Sequence, residues 1–154
     1  MTAGQLRTLD AEVEAVVFKS EWYRIRFDDK SQSGGSFVCD RLLPPATAAL
    51  YHTWGWSVKA ISPEEGLVGF LAENAGEVIR GRIWETPRYS TDIAAAWEME
   101  EEVQRQGLHF AYGLILSTMV CAVMPDNIHS YHLAHAAPGM RCRAALMTVR
   151  EAIQ

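Results

Sequence analysis

At 154 residues, with 49% hydrophobic and 21% charged side chains, the chain has the size and composition of one soluble globular domain with a core of its own. A formal net charge of −5 excludes the broad basic surface that duplex nucleic acid requires, and leaves room only for one small anion in a local basic pocket. Cys39, Cys121 and Cys142 are widely spaced without a CxxC, which excludes a disulfide framework and a zinc ribbon.

Leu6, Leu9, Val13, Val16 and Val17 recur at helical spacing and predict an amphipathic helix over residues 3–18. Charges interrupt every apolar run of MTAGQLRTLDAEVEAVVF, so it reads as a folded helix and not as a signal peptide. Tyr23, Ile25 and Phe27 alternate with Trp22, Arg24 and Arg26, as in a strand; KSQSGG turns the chain and SFVCD returns it. Pro45 opens a short helix over 45–53. WGWSVKAI alternates again, and Gly66–Trp84 reads as a hairpin of GLVGFLAE and EVIRGRIW about Asn74-Ala75-Gly76.

Ser90, Thr91 and Asp92 offer cap oxygens to a helix that Gly107 ends. HFAYGLILSTMVCAV is nearly all apolar and reads as a buried strand, too short to cross a membrane. Pro125-Asp126-Asn127 then turns the chain into IHSYHLAHAA, its antiparallel partner. Pro138 opens a last helix with Cys142, Ala145, Leu146, Val149 and Ile153 on one face. The expected fold is α+β, a single domain over 1–154 with helices on both faces of an antiparallel sheet.

One carboxylate breaks the pattern. At 100° per residue, Ile93, Ala96, Trp97 and Val103 share one side of their helix and Glu98, Glu101 and Glu102 the other. Glu100 falls between Trp97 and Val103, within the apolar stripe. A charge there is costly unless it is paired. The expectation is a partly buried carboxylate with a basic or hydroxyl partner, drawn from Arg24, Arg26, Arg80 and Arg82, or a place in a pocket wall.

YSTDIAAAWEMEEEV, in this same helix, resembles the central helix of the phage ABA sandwich domain family. AAPGMRCRAALMTVREA resembles that family's closing helix and LDAEVEAVVF its opening one, in the family's order. The resemblance implies a three-layer α/β/α sandwich with a family-like core at 3–20 and 87–154. The segment from about 21 to 86 is then an elaboration, an inserted β-hairpin region. It also implies a phage or prophage source, and hence the cytoplasm of an infected bacterium. It supplies no established activity and no catalytic residue. Met99-Glu100 departs from the two apolar residues usual in the family.

Signals for chemistry are sparse. His129, His132 and His135 would share one face of a helix, as metal ligands do, but on a strand His132 points away, so no metal site is expected. Cys121 and Cys142 lie in apolar stretches and read as core, and there is no nucleophile elbow and no phosphate loop. Arg24 and Arg26, like Arg80 and Arg82, alternate with apolar residues on strand-like segments. Four guanidinium groups brought together suit phosphate, with Trp54 and Trp56 stacking on a base. The expected ligand-binding residues are Arg24, Arg26, Trp54, Trp56, Arg80, Arg82 and Glu100, with no catalytic residue and no cofactor. The resulting expectation is a non-catalytic phage binding protein, a homo-oligomer that sequesters a small anionic nucleotide used as a host immune signal. The alternatives are a small nucleotide-cleaving enzyme with Glu100 or a histidine as general base, and a protein–protein inhibitor of a host defence enzyme.

Overall fold

The computed structural model describes residues 1–27, 37–75, 86–123 and 129–154. The elements in chain order are α1 (Ala3–Val16), β1 (Glu21–Phe27), β2 (Phe37–Leu43), α2 (Pro45–Thr53), β3 (Ser57–Ala60) and α3 (Pro63–Ala75), followed by α4 (Ile93–Arg105), α5 (His109–Val123), α6 (His129–Ala134) and α7 (Pro138–Ile153). They form two compact units, one of Met1–Phe18 with Thr86–Gln154, the other of Lys19–Glu85. Among the described residues no helix is long and apolar enough to cross a membrane.

The 19–85 unit is built on an antiparallel sheet of order β2-β1-β3. Its register pairs Ile25 with Cys39 and with Val58, and Arg24 with Asp40 and with Lys59, so the period-2 alternation read from the sequence sorts onto two faces. On one face Ile25, Cys39 and Leu43 are buried with Tyr51 of α2, and Tyr23, Trp56 and Val58 pack around them. On the other, Trp22 and Leu42 are buried, and Gly66 of α3 lies directly on the Trp22 ring. A Cβ at position 66 would meet that ring at 2.3 Å, so glycine is what lets the helix approach.

The other unit is helical throughout its described residues. α1, α4, α5 and α7 close on a core that includes Val13, Val17, Met99, Val103, Leu116, Val120, Cys142 and Leu146. Its helix ends follow the sequence. Thr2 and Gln5 form a reciprocal capping box on α1. The Asp92 carboxylate accepts from the Ala94 amide at the start of α4, and Gly107, at φ 77°, takes the left-handed conformation that ends it. The loop into α4 is pinned to α1: Asp10 accepts from Arg7 Nη1 (2.8 Å) and from the Ser90 amide (2.7 Å), and the Tyr89 hydroxyl donates to Glu14 (2.6 Å). The Tyr-Ser-Thr-Asp stretch is thus a structural clamp.

Three expectations are corrected. Of the expected hairpin, residues 66–75 are helical, in α3; the rest, 76–85, lies outside the described residues, as does the Pro125-Asp126-Asn127 turn. The expected long strand is α5, and its expected partner begins with α6. The expected apolar side of α4 is shifted: Ala96 and Val103 are buried as expected, together with Ala95 and Met99, whereas Ile93 is 38% and Trp97 55% exposed. What the described residues show is an α+β chain with a three-stranded antiparallel sheet and several helices.

Candidate functional site

α4 and the start of α5 form the walls of a cleft of 410 Å³ lined by Trp97, Glu100, Glu101, Gln104, His109 and Tyr112. Leu108 turns the chain between them, its amide donating to the Val103 carbonyl at 3.1 Å. The buried stripe of α4 is centred near Met99, and Glu100 stands at its rim, roughly one residue's 100° rotation away. That position lets one carboxylate reach the interior and the cleft together.

Inside, Glu100 Oε1 accepts from the Tyr112 hydroxyl and from Arg141 Nη1, the latter at 2.5 Å. The Arg141 side chain is 7% exposed and that of Glu100 23%. Arg141 comes from the first turn of α7. Its Nε donates to the Ala136 carbonyl (2.9 Å), and its Nη2 to those of Leu133 (3.0 Å) and Ala134 (2.9 Å). One guanidinium therefore ties the end of α6 and the turn after it to α4 through Glu100, a use that suits the fixed fork of arginine. Burial first, then the hydrogen bond and charge of Glu100, push the Tyr112 hydroxyl well above its ordinary pKa, against a smaller opposing pull from Arg141. The hydroxyl stays protonated, and stays a donor, at neutral pH.

Outside, the cleft is polar and uncommitted. Among the described residues, none donates to Glu100 Oε2, and the side chains of Glu101, Gln104 and His109 make no hydrogen bond or ion pair. Glu98 and Glu101 are exposed, as expected. Glu102 is drawn in, pairing with Arg105 at 2.6 Å and accepting from Gln106 at 3.0 Å.

Glu100 has the basic and hydroxyl partners expected of it, but they are Arg141 and Tyr112 and none of the four arginines named from sequence. Arg141 was open to the same helical-wheel argument. Arg141 sits roughly 40° from Ala145 at 100° per residue, on the buried face of α7, as anomalous there as Glu100 is on α4. The other expected ligand residues lie in the 19–85 unit or outside the described residues. Arg24 is held by Asp40 in two hydrogen bonds, Nε to Oδ1 at 2.8 Å and Nη2 to Oδ2 at 3.0 Å. Arg26 is exposed on the same face. Trp54 is exposed, with its ring edge-on to Tyr51 at 5.5 Å, and Trp56 packs into the core against Tyr51 at 5.4 Å. Arg80 and Arg82 lie outside the described residues.

The remaining candidates also move. His132 is on a helix, not a strand, and the described residues contain no group of three or more His, Cys, Asp or Glu able to hold a metal. Cys142 is fully buried, and burial, with the charge of Asp10, pushes its thiol up to about 12. Cys121, expected in the core, is exposed on α5.

The model of the phage ABA sandwich domain family matches residues 52–146, more than half of the chain, and the chain belongs to that family. The matched stretch takes in residues 52–86, assigned from sequence to an elaboration, and leaves out α1. It contains the whole cleft together with Arg141. No curated protein and no solved structure matches the chain.

Proposed function

We propose that this member of the phage ABA sandwich domain family is a non-catalytic binding protein of a phage or prophage, acting in the cytoplasm of the infected host by capturing a host protein. The observation that carries this reading is the state of the cleft. Its one inward-reaching carboxylate is braced by Tyr112 and by Arg141, which is itself anchored on three carbonyls. Acid–base catalysis needs a group that gives or takes a proton near the working pH, and the Tyr112 hydroxyl is pushed away from that range. The lining holds no serine, cysteine, threonine or lysine, and its one imidazole, His109, has no hydrogen-bonded carboxylate among the described residues to orient it as a base. A rigid brace behind an open, polar lining suits recognition.

Beside the cleft's own helix, α5 adds an apolar surface of the kind that marks protein contacts. Phe110 is 80% exposed and Leu114, one turn on, is also exposed, and no residue from Phe110 to Val123 carries a formal charge. The test is cross-linking mass spectrometry of the full chain in host lysate. Cross-links to one host protein that converge on α4 and α5 support the reading. A ligand that is altered during incubation and released as product on denaturation overturns it in favour of an enzyme.

A second reading, capture of a small anionic nucleotide by a homo-oligomer, is favoured by the other unit. The register sets Arg24, Arg26 and Lys59 on one sheet face, and Trp54 is exposed. The bidentate Asp40 partner offsets the Arg24 charge, which leaves this face weaker than the sequence suggested. Calorimetry with cyclic oligonucleotides and ADP-ribose derivatives tests it, with light scattering for the oligomer; no heat at high micromolar ligand counts against it.

A further inference from the structure

The cleft between α4 and α5 carries one end of a charged pair in its wall, Glu100 of the Glu100–Arg141 ion pair. Behind it, the Arg141 guanidinium is enclosed and its donors point at backbone carbonyls and at Glu100 Oε1. In front, Glu100 lines the cleft and Arg141 does not, so the pair shows the cleft its negative end; among the described residues none donates to Oε2. One turn of the wall adds the Glu101 carboxylate and the Gln104 amide, and Trp97 supplies a large exposed aromatic face. Carboxylate oxygens bind cationic N–H donors, and an indole face attracts ammonium and guanidinium groups. An anion entering the same space would meet two carboxylates, Glu100 and Glu101, against the single imidazole of His109.

We propose that the cleft receives an arginine or lysine side chain from the captured protein, presented on an amphipathic segment whose apolar residues follow the Phe110–Leu114 face of α5. The aliphatic stem lies against Trp97, and the cationic head reaches Glu100 Oε2 and Glu101. Charge complementarity selects this occupant. The cleft wall offers two carboxylates, an amide and an aromatic face against one imidazole, His109, while residues 110–123 of α5 carry no formal charge for a partner to neutralise. The inference rests on the protein-capture reading above and names the chemistry of the partner's anchor.

The probe is a synthetic amphipathic helical peptide with one central arginine among leucines, and the same peptide with citrulline, its uncharged isostere. Trp97 is read by its indole N–H resonance, assigned with Trp97→Phe. The expected result is a saturable Trp97 shift with the arginine peptide and binding weaker by about tenfold with citrulline, the loss of a charge-assisted contact. Glu101→Gln, at an exposed position without internal partners, weakens the arginine peptide by about five- to tenfold and leaves the citrulline peptide unchanged. Equal binding of the two peptides, a silent Trp97, or indifference to Glu101→Gln overturns the inference. Host-protein cross-links to α4 and α5 that persist in Glu101→Gln sink the cationic anchor and leave the capture reading standing. Substrate turnover sinks the capture reading whatever the peptides do.

Discussion

Replacing Glu100 by leucine removes the only carboxylate paired with Arg141 among the described residues and leaves a guanidinium that is 7% exposed facing an apolar side chain. Removing one member of a buried ion pair costs about 3–5 kcal/mol. The Glu100 side is 23% exposed, so some water reaches the vacated space, and the expected cost lies at the lower end, about 3 kcal/mol. For a chain of this length that shifts the melting temperature by on the order of 10 °C. Arg141→Met is expected to cost a similar ~3 kcal/mol by a different route: three carbonyls at and just after the end of α6 lose their donor, at ~1 kcal/mol each. Glu100, nearer the cleft, turns to water. The double variant has no stranded charge and loses only the carbonyl contacts and the Tyr112 bond. Its cost is therefore about 4 kcal/mol, not the ~6 of the sum, a coupling of about 2 kcal/mol. Glu100→Gln keeps an acceptor for both donors and costs about 1 kcal/mol. Urea unfolding followed by far-UV circular dichroism measures all four, with stability read from the midpoint at constant slope. Strict additivity, or a Glu100→Leu variant within about 0.5 kcal/mol of the parent, refutes the brace.

Gly66→Ala reverses the usual sign of a helical glycine replacement. The gain of about 1 kcal/mol from propensity is outweighed by about 2 kcal/mol of overpacking on the Trp22 ring, whereas Gly113→Ala on α5, with open space around it, gains about 0.5–1 kcal/mol; thermal melts of the pair show the contrast. A thiol-reactive disulfide at pH 8 is expected to label Cys121 at once and Cys39 and Cys142 only on unfolding, with Cys121→Ser abolishing the fast phase. Burial pushes the Tyr51 hydroxyl up to about 12, and burial with Glu14 or Glu100 pushes Tyr89 and Tyr112 further. A folded-state pKa above the unfolded one means that the neutral hydroxyl is favoured by the fold. The stability is thus whole below about pH 10 and falls as pH rises past it, so phenolate absorbance should appear together with loss of helix in an alkaline titration.

Where the sequence was legible, one face of an element met the core and the other met water. α1, α4 and α7 show this at period 3.6 and β1 at period 2, α2 was marked by Pro45 at its first turn, and each forms at its expected place. α5 has no such contrast, because apolar residues cover both its buried side, Tyr112, Leu116 and Val120, and its exposed side, Phe110 and Leu114. Periodicity is silent there. Length was the usable signal, since an apolar run this long exceeds most strands. α3 failed for a different reason. The start signal was present in Ser62-Pro63-Glu64-Glu65, a cap oxygen, a first-turn proline and two first-turn acids, and the Glu65 amide does donate to Ser62 Oγ at 3.2 Å. The two glycines of GLVGFLAE drew the reading toward a turn, when one of them was there to seat a helix on Trp22.

The site was half legible for a related reason. A charge on an apolar stripe can be found by the wheel, and Glu100 was. Its partner cannot be chosen by charge alone, because every arginine in the chain qualifies until burial discriminates among them. The discriminating residue was Arg141, which also breaks the apolar face of its own helix. Two such anomalies of opposite sign in one chain are cheaper to bury against each other than separately, since each removes the other's desolvation penalty in part. Pairing anomaly with anomaly would have joined Glu100 to Arg141. It would also have set Arg24 aside: with Asp40 beside Cys39 on the returning strand, that arginine had an acid directly across the sheet. Had the charges been matched by burial and register before any ligand was considered, the nucleotide site would have lost Arg24 and Glu100 at once. The carboxylate-lined cleft would have stood as the chain's first candidate for recognition.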